Sequence, residues 1–366
     1  MSAGIRSACA ALPDYPSADL LDGKLRVRAH RNESPLAPPE HVVDALVRID
    51  GDVLRRYPAD LQRRVHRGLA RRLGVPSRRL ATANGADELL LAAARLTLEP
   101  GFNAVAARPA FGMYARAVAM AGGELHQVSY DRRWQLDPEQ FLACADGQTR
   151  LIFVGHPNNP TGDAFGAAEL ARLARAVPDA LVVVDEVYLT MRAESLVAAA
   201  GALPNVAVVG SLSKVAALAG LRVGYVTAHP AIARVFRRVL APYALSSLSL
   251  LAAEAYLAGE FATRAFERAL AAQTQRSLDA VLEAVAPYAT ASWRGPANFA
   301  LIDLGTDARP IVKALRRHGV AVRGFGDPRL RTCIRVCAVG DRETVLLVAA
   351  LRDVLRRTAR ESRARA

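Results

Sequence analysis

The chain has 366 residues, a length that accommodates one large domain together with a smaller one. Hydrophobic residues make up 52% of it, but none of its apolar runs is long enough to span a bilayer, and the first 13 residues lack the apolar stretch of a secretory signal. These features argue against a membrane protein and predict a globular protein of the cytoplasm.

The net charge of +13 comes from arginines that are spread along predicted helices. A nucleic-acid-binding surface would concentrate basic residues on one element beside aromatic or amide side chains, whereas these arginines alternate with alanine and leucine. We therefore expect no nucleic-acid partner. The four cysteines include no CxxC pair, so neither a metal site nor a disulfide is expected.

In chain order, the first predicted elements are an extended segment at residues 25–35 and a helix at residues 61–73 that ends at Gly74. From residue 80 to residue 230, β-rich runs alternate with helical stretches, a pattern typical of a mainly parallel sheet covered by helices on both faces. Buried strands are predicted at residues 151–154, 181–184 and 206–209, with a helix at residues 167–177.

The C-terminal part begins with an amphipathic helix at residues 261–285 and continues with strands at residues 299–304, 320–323 and 333–338. The predicted fold class is therefore α/β, with a smaller α+β C-terminal domain. We assign residues 1–35 to an N-terminal segment that packs on the small domain or the cleft, 36–245 to the large domain, 246–355 to the small domain, and 356–366 to a disordered basic tail.

Lys214 is one of only three lysines in a chain whose other positive charges are arginines. A lysine amine can lose its proton and attack a carbonyl to form an imine, which a guanidinium cannot do. Lys214 is therefore a candidate nucleophile. Taken alone it is better explained as an ordinary loop lysine, so its neighbours decide.

Two polar segments flank predicted helices or strands, where ligands collect in such sheets. Residues 84–88 precede a helical run, so their backbone N–H groups could cradle a phosphate, although capping by Asn84 or Asp87 explains them as well. Residues 156–162, with the sequence HPNNPTG, predict a rigid turn that either presents Asn158 to a ligand or is a plain turn.

Further polar residues follow the next two strands. Asp185 ends a strand, where its carboxylate either pairs with a protonated ring nitrogen or faces water. Ser211, Ser213 and Arg222 are donors suited to a phosphate group. Together with Lys214, these residues describe a pocket for a flat anionic cofactor that carries a carbonyl.

The segments NGADEL, HPNNPTG, VVVDEVY and SLSKVAALAGLRVGY resemble the signature of fold-type I pyridoxal-phosphate aminotransferases, most closely the histidinol-phosphate aminotransferases. The resemblance runs from about residue 12 to residue 355 and implies that fold, with pyridoxal phosphate as the cofactor. It implies that Lys214 binds the cofactor as a Schiff base and moves the substrate proton, and that Asp185 pairs with the pyridine nitrogen.

The resemblance also implies the remaining contacts of the cofactor. Asn158 and Tyr188 would hydrogen-bond its phenolic oxygen, and Tyr114 would stack on its ring. The phosphate would be held by Gly85, Ala86, Asp87, Ser211, Ser213 and Arg222. Tyr57 would reach the phosphate in a neighbouring subunit, which implies a homodimer with shared sites, although a tyrosine before a turn-forming proline is also an ordinary feature.

For the substrate, the resemblance implies that Arg335 binds a carboxylate or phosphate, assisted by Arg323 and Tyr15, with Asn298 lining the cleft. A surface position for Arg323 and a turn role for Asn298 remain alternatives. The sequence departs from the subgroup at Ser34, Ala37, His156 and Val187, where asparagine, glycine, a small residue and alanine are usual.

These features predict an aminotransferase that acts on histidinol phosphate and 2-oxoglutarate. The departures leave open a specialised aminotransferase for another amino acid, or a decarboxylase of a phosphorylated amino acid. A binding module without catalysis would not need an imine-forming lysine. The sequence also lacks the GxGxxG of a nicotinamide enzyme and the GxxxxGK[ST] of a phosphate-loop NTPase.

Overall fold

The computed structural model of the chain describes residues 4, 6–12, 25–131, 134–135, 137–189 and 194–365. Its strands are β1 (Val27–Ala29), β2 (Leu80–Asn84), β3 (Asn103–Arg108), β4 (Glu124–Ser129), β5 (Thr149–Gly155), β6 (Leu181–Asp185), β7 (Val206–Ser211), β8 (Val223–Ala228), β9 (Ala291–Trp293), β10 (Phe299–Asp303), β11 (Val320–Val322) and β12 (Cys333–Cys337).

The helices in chain order are α1 (Ser7–Ala10), α2 (Glu40–Val47), α3 (Gly51–Arg55), α4 (Ala59–Arg72), α5 (Gly85–Thr97), α6 (Met113–Ala121), α7 (Pro138–Cys144), α8 (Ala167–Ala176), α9 (Val197–Ala200), α10 (Leu212–Val215), α11 (Pro230–Val239), α12 (Ser247–Ala258), α13 (Glu260–Val285), α14 (Ala308–Arg317) and α15 (Asp341–Arg365). Short 3-10 turns lie at Ser77–Arg79, Ala219–Leu221 and Pro328–Leu330.

Within the described residues, seven strands form the large sheet in the order β2-β8-β7-β6-β5-β3-β4. Neighbouring strands are parallel except around β8, which runs antiparallel to both β2 and β7. The mainly parallel sheet predicted from the sequence is therefore confirmed.

The large sheet is buried on both faces, as the unbroken apolar runs of its central strands require. In β6, Val182 and Val184 pack into the core on one face, which includes Phe141 of α7 and Leu170 of α8. The intervening Val183 packs into the opposite core, formed mainly by α5 and α6. This alternation fixes which side chains can reach the sheet edge, where β6 ends.

The small domain contains an antiparallel sheet of β12, β10 and β9, packed with α13, α14 and α15 around a core of its own. Strand β1 of the N-terminal segment pairs in parallel with β11, with Val27 opposite Val320. The residues that follow β1 are thereby brought from the small domain towards the carboxyl edge of the large sheet.

The C-terminal helix differs from the sequence prediction. Residues 356–366 were expected to be a disordered tail, but α15 continues through Arg365. Arginine and alanine are both strong helix formers, so the sequence after residue 355 favours continuation of the helix that begins at Asp341.

Among the described helices, none combines the length and the apolar character needed to cross a membrane.

Candidate active site

The candidate site lies at the carboxyl edge of the large sheet. The parallel strands β5, β6 and β7 end there side by side, with Gly155 opposite Asp185 and Asp185 opposite Val209. Because β8 is antiparallel to β7, its first residues lie at the same edge, which brings Arg222 close to the end of β7. Polar groups from four segments of the chain therefore converge.

Lys214 lies in the single turn of α10, directly after β7. Its Nζ donates a hydrogen bond to the carbonyl oxygen of Arg31 at 3.1 Å and lies 5.9 Å from the ring centroid of Tyr188. Burial lowers the pKa of the Lys214 amine, and the nearby Arg335 lowers it further, whereas Glu33 opposes the shift. The neutral amine is thus more accessible here than on a solvated lysine.

Asp185 is 4% exposed, and both of its carboxylate oxygens are engaged. The Tyr114 hydroxyl donates to Oδ2 at 3.0 Å, and the Val187 backbone N–H donates to Oδ1 at 3.1 Å. Burial raises the pKa of Asp185 to about 6, while these two hydrogen bonds oppose the rise. A positively charged ligand atom beside Asp185 would relieve the cost of burying its charge.

The first turn of α5, Arg222 and two serines are donors that lie at the same sheet edge, after β2, before β8 and at the end of β7. We refer to this group as the anion cradle: Gly85, Ala86, Ser211, Ser213 and Arg222. Gly85 has a φ of +81°, and a Cβ placed on it would lie 2.6 Å from Nη2 of Arg222. Only glycine therefore leaves room for the guanidinium at the helix N-terminus, where backbone N–H groups attract anions.

Hydrogen bonds order the anion cradle. Nη2 of Arg222 donates to Oδ2 of Asp87 at 2.9 Å, so Asp87 orients the guanidinium rather than adding a donor. The backbone N–H of Ser213 donates to Oγ of Ser211 at 3.0 Å, and Oγ of Ser211 lies 2.9 Å from Oγ of Ser213. Oγ of Ser211 also lies 3.0 Å from the Val223 carbonyl oxygen, so these bonds fix the two serines at the end of β7, while Arg222 lies against the N-terminus of α5. A guanidinium, hydroxyls and a helix N-terminus are donor types that suit an anion.

The two asparagines of the turn after β5 have different surroundings. Asn158 is 1% exposed, and its Nδ2 donates to the Pro109 carbonyl at 3.1 Å and to Oγ1 of Thr161 at 2.8 Å. Nδ2 of the adjacent Asn159 instead donates to the Tyr188 hydroxyl at 3.3 Å. Asn158, the residue that we expected beside Tyr188, thus supports the turn, and Asn159 takes that place.

Tyr114 is also placed differently from our expectation. Its ring lies parallel to that of Phe153 at 4.8 Å between centroids, it is 3% exposed, and its hydroxyl contacts Asp185. One face of the ring is therefore covered by Phe153, and its hydroxyl is engaged by Asp185. Phe111 lies three residues before Tyr114 and contacts its ring edge-to-face at 5.9 Å between centroids. Because Phe111 is only partly buried, its ring is more accessible to a ligand than that of Tyr114.

Arg335, on β12 of the small domain, is 7% exposed and points at the same region. It donates through Nη1 to Oδ1 of Asn159 and through Nη2 to the His30 carbonyl at 2.7 Å. Arg323 exchanges both backbone hydrogen bonds with Arg335, at 3.0 and 2.8 Å. Residues paired in this way project their side chains from the same face, so two guanidinium groups lie on one side of the strand.

The remaining predicted residues fall in three places. Nδ2 of Asn298 donates to the carbonyl oxygens of Asn32 at 3.0 Å and Glu33 at 3.4 Å, so it fastens the N-terminal segment beside Lys214. Tyr57 is 80% exposed and stacks on Tyr243 at 4.7 Å, so it is not brought to the site of its own chain. Tyr15 lies outside the described residues.

Comparison with known proteins identifies the family. The family model described as aminotransferase class I and II matches residues 29–350. The chain belongs to this aminotransferase family. A Pseudomonas aeruginosa relative named histidinol-phosphate aminotransferase 2 is 36% identical over 357 residues, which cover 93% of this aminotransferase and 94% of the relative. A Thermobifida fusca relative named aromatic amino acid aminotransferase is 34% identical over 341 residues, 90% of this chain and 92% of the relative.

A solved structure agrees with these sequence matches. The crystal structure of histidinol-phosphate aminotransferase from Sinorhizobium meliloti in complex with pyridoxal-5'-phosphate has a TM-score of 0.89 to this aminotransferase at 29% identity. The match covers 98% of this chain and 99% of that one. The resemblance inferred from the sequence motifs is therefore confirmed, as is the fold class.

The sequence reasoning missed three residues of this aminotransferase. Asn159 and Phe111 stand next to residues that were singled out, and a motif alone does not show which neighbour faces the cleft. Glu186 was passed over although it is 8% exposed, because it follows Asp185 in the motif and no partner could be assigned to it. Its carboxylate accepts hydrogen bonds from the Ser195 hydroxyl at 2.7 Å and the Leu196 backbone N–H at 2.5 Å.

Proposed function

We propose that this aminotransferase uses pyridoxal phosphate to exchange an amino group between histidinol phosphate and 2-oxoglutarate. The observation that carries the proposal is the convergence of an amine, a buried carboxylate and the anion cradle at one sheet edge. Lys214, Asp185 and the cradle match the aldehyde, the ring nitrogen and the phosphate of the cofactor. The hydrogen-bond donors of the cradle, and the space left by the missing side chain of Gly85, fit pyridoxal phosphate.

In this proposal, Asp185 and Lys214 act on different atoms of the cofactor and the substrate. When bound, pyridoxal phosphate draws electrons from the substrate α-carbon and so makes its hydrogen acidic. Asp185 keeps the ring nitrogen protonated, because a buried carboxylate is stabilised by a cation. Lys214 takes the proton from the α-carbon, which requires the neutral amine that burial favours.

Tyr188 and Asn159 serve as the donors to the phenolic oxygen of the cofactor. Burial raises the pKa of Tyr188, so its hydroxyl remains a donor at neutral pH. Asn159 joins Tyr188 to Arg335 through its amide, so the position of the substrate-binding arginine is coupled to that of the cofactor. Phe111 supplies the ring contact that we first assigned to Tyr114.

The substrate assignment is supported by Arg335 and Arg323. Histidinol phosphate carries one phosphate, and 2-oxoglutarate carries two carboxylates, so both need guanidinium groups near the reacting carbon. Two arginines on one face of β12 and its neighbour provide them. The names of the Pseudomonas aeruginosa and Sinorhizobium meliloti relatives support the same substrate.

A second candidate is transamination of an aromatic amino acid, which the name of the Thermobifida fusca relative favours. Such a substrate carries one carboxylate and a flat apolar side chain, so it would need Arg335 but not Arg323. Replacing Arg323 with glutamine separates the two candidates. If the Arg323→Gln variant loses its activity with histidinol phosphate, our proposal is supported. If phenylalanine or tyrosine is a better amino donor than histidinol phosphate, and the variant keeps its activity with that donor, the second candidate is favoured.

We further propose that the enzyme is a homodimer with shared sites. Tyr57 is 80% exposed and stacks on Tyr243, which is 42% exposed, so the pair presents apolar surface that a second copy would cover. Because Tyr57 does not reach the site of its own chain, it is available to a neighbouring one.

The cofactor is tested by the visible absorption of the purified protein with and without borohydride. We expect a yellow protein that loses its colour on reduction and carries the cofactor covalently on Lys214 after proteolysis. Lys214→Ala should prevent labelling, while Lys313→Ala, in α14 of the small domain, should leave it unchanged. A protein that takes up no added pyridoxal phosphate would overturn the proposal.

A further inference from the structure

A cavity of about 310 Å³ lies between the large sheet and the helices α4, α12 and α13. Its lining includes Lys214, Tyr188 and Asn298, together with apolar residues such as Leu73 and Leu270. Most residues of the anion cradle and Asp185 do not line this cavity, although they are among the described residues. The cavity therefore adjoins the proposed cofactor site, with which it shares Lys214, Tyr188 and Ser211.

The walls of the cavity are mainly apolar, and two carboxyl-bearing residues, Glu186 and Glu267, are among them. Leu69, Leu73, Val215, Leu257 and Leu270 provide apolar surface. Glu267 is ion-paired with Arg72, whose Nη2 lies 2.5 Å from Oε2, and accepts a hydrogen bond from the Tyr256 hydroxyl at 2.6 Å. The charge of Glu267 is thus already compensated within the protein.

Glu186, the other carboxyl group, differs from Glu267. The described residues give it two neutral donors, the Ser195 hydroxyl and the Leu196 backbone N–H, and no ion pair. It is 8% exposed, and burial raises its pKa to about 7. A buried carboxylate without a cation is costly, so a ligand cation in the cavity would gain its full attraction.

We propose that this cavity, which we call the Glu186 cavity, binds a small apolar amine whose ammonium group pairs with Glu186 and whose hydrocarbon body packs between α4, α12 and α13. Pockets for small ligands start at about 300 Å³, so the space suits an amine with a single ring. The bound molecule lies against Lys214 and Tyr188 and restricts the movement of the lysine. Occupancy therefore slows turnover without displacing the substrate, and the site goes beyond the transamination proposed above.

The test is a calorimetric titration of the holoenzyme with 2-phenylethylamine after borohydride reduction. Reduction fixes Lys214 on the cofactor, so the amine cannot react there. We expect one molecule bound per chain, at least about tenfold weaker binding by Glu186→Gln, and similarly weak binding of the uncharged 2-phenylethanol. Absence of binding at millimolar amine, or equal binding by Glu186→Gln, would overturn the proposal.

Two variants of Leu270 form a matched pair that locates the ligand. Leu270→Trp fills the cavity and should abolish binding, whereas Leu270→Ala enlarges it and should retain binding; both should keep the absorption spectrum of the parent. Displacement of the amine by histidinol phosphate would place it in the substrate cleft and contradict the proposal. A colourless protein contradicts the proposed cofactor instead, and the same titration then runs on the unreduced chain.

Discussion

The hydroxyl group of Tyr114 donates a hydrogen bond to Oδ2 of Asp185 at 3.0 Å, from a ring held parallel to Phe153 at 4.8 Å. With the backbone N–H of Val187 on the other oxygen, this bond fixes the plane of the carboxylate. Burial raises the pKa of Asp185, and the Tyr114 hydrogen bond lowers it. Tyr114 is therefore a positioning residue that acts through Asp185.

Tyr114→Phe keeps the stacked ring and removes only this donor. The pKa of Asp185 then rises further above its usual value, so the carboxylate is protonated at a higher pH and pairs less well with the ring nitrogen. We expect kcat to fall about tenfold at neutral pH, in line with a lost hydrogen bond to a charged group, and the acid limb of the kcat profile to move to higher pH. Tyr288→Phe, in the small-domain core, should shift neither.

Gly85→Ala tests the anion cradle. Alanine at a φ of +81° is strained, and its Cβ would lie 2.6 Å from Nη2 of Arg222, so the guanidinium must move away from the helix N-terminus. We expect the Kd for pyridoxal phosphate, measured by titrating the apoenzyme, to rise at least about tenfold. Gly112→Ala is the control, because a Cβ there meets nothing within 4 Å. Equal affinity of both variants would show that the cradle does not hold the phosphate.

The regular part of the fold was predictable from the sequence, because it depends on patterns that extend over many residues. The helix expected at residues 261–285 is α13 (Glu260–Val285), and the strand expected at 181–184 is β6 with Asp185 as its last residue. Parallel strands that end together bring the residues after them together, so Asp185 and Lys214 could be expected at one edge.

The details that were not predictable depend on rotamers and on single neighbours. Asn158 and Asn159 are chemically identical, and only the packing of Asn158 under Pro109 and Thr161 decides that Asn159 faces Tyr188. Tyr114 likewise turns inward because a buried carboxylate needs a donor. The two hydrogen-bond donors to Glu186 lie nine and ten residues further along the chain, where the sequence gives no signal.

The two asparagines give paired predictions. Asn158→Ala leaves the Pro109 carbonyl without its donor inside the protein and should lower the free energy of unfolding by about 1–3 kcal/mol. Asn159→Ala removes the link between Tyr188 and Arg335, so it should raise KM and shift the pH at which the visible absorption band changes. Thermal melting and a spectral pH titration of both variants check the assignment. A spectral shift in Asn158→Ala alone would restore our first expectation.

Tyr57 allows a test of shared sites that does not depend on the geometry of the interface. Tyr57→Ala and Lys214→Ala should each be poorly active, but a mixed dimer has one site with Lys214 from one subunit and Tyr57 from the other. Random reassortment of equal amounts should therefore recover about a quarter of the activity of the unmodified dimer. Mixing Lys214→Ala with Asp185→Ala should recover none, because both residues act in their own chain. If the Tyr57 mixture also stays inactive, Tyr57 does not serve the neighbouring site.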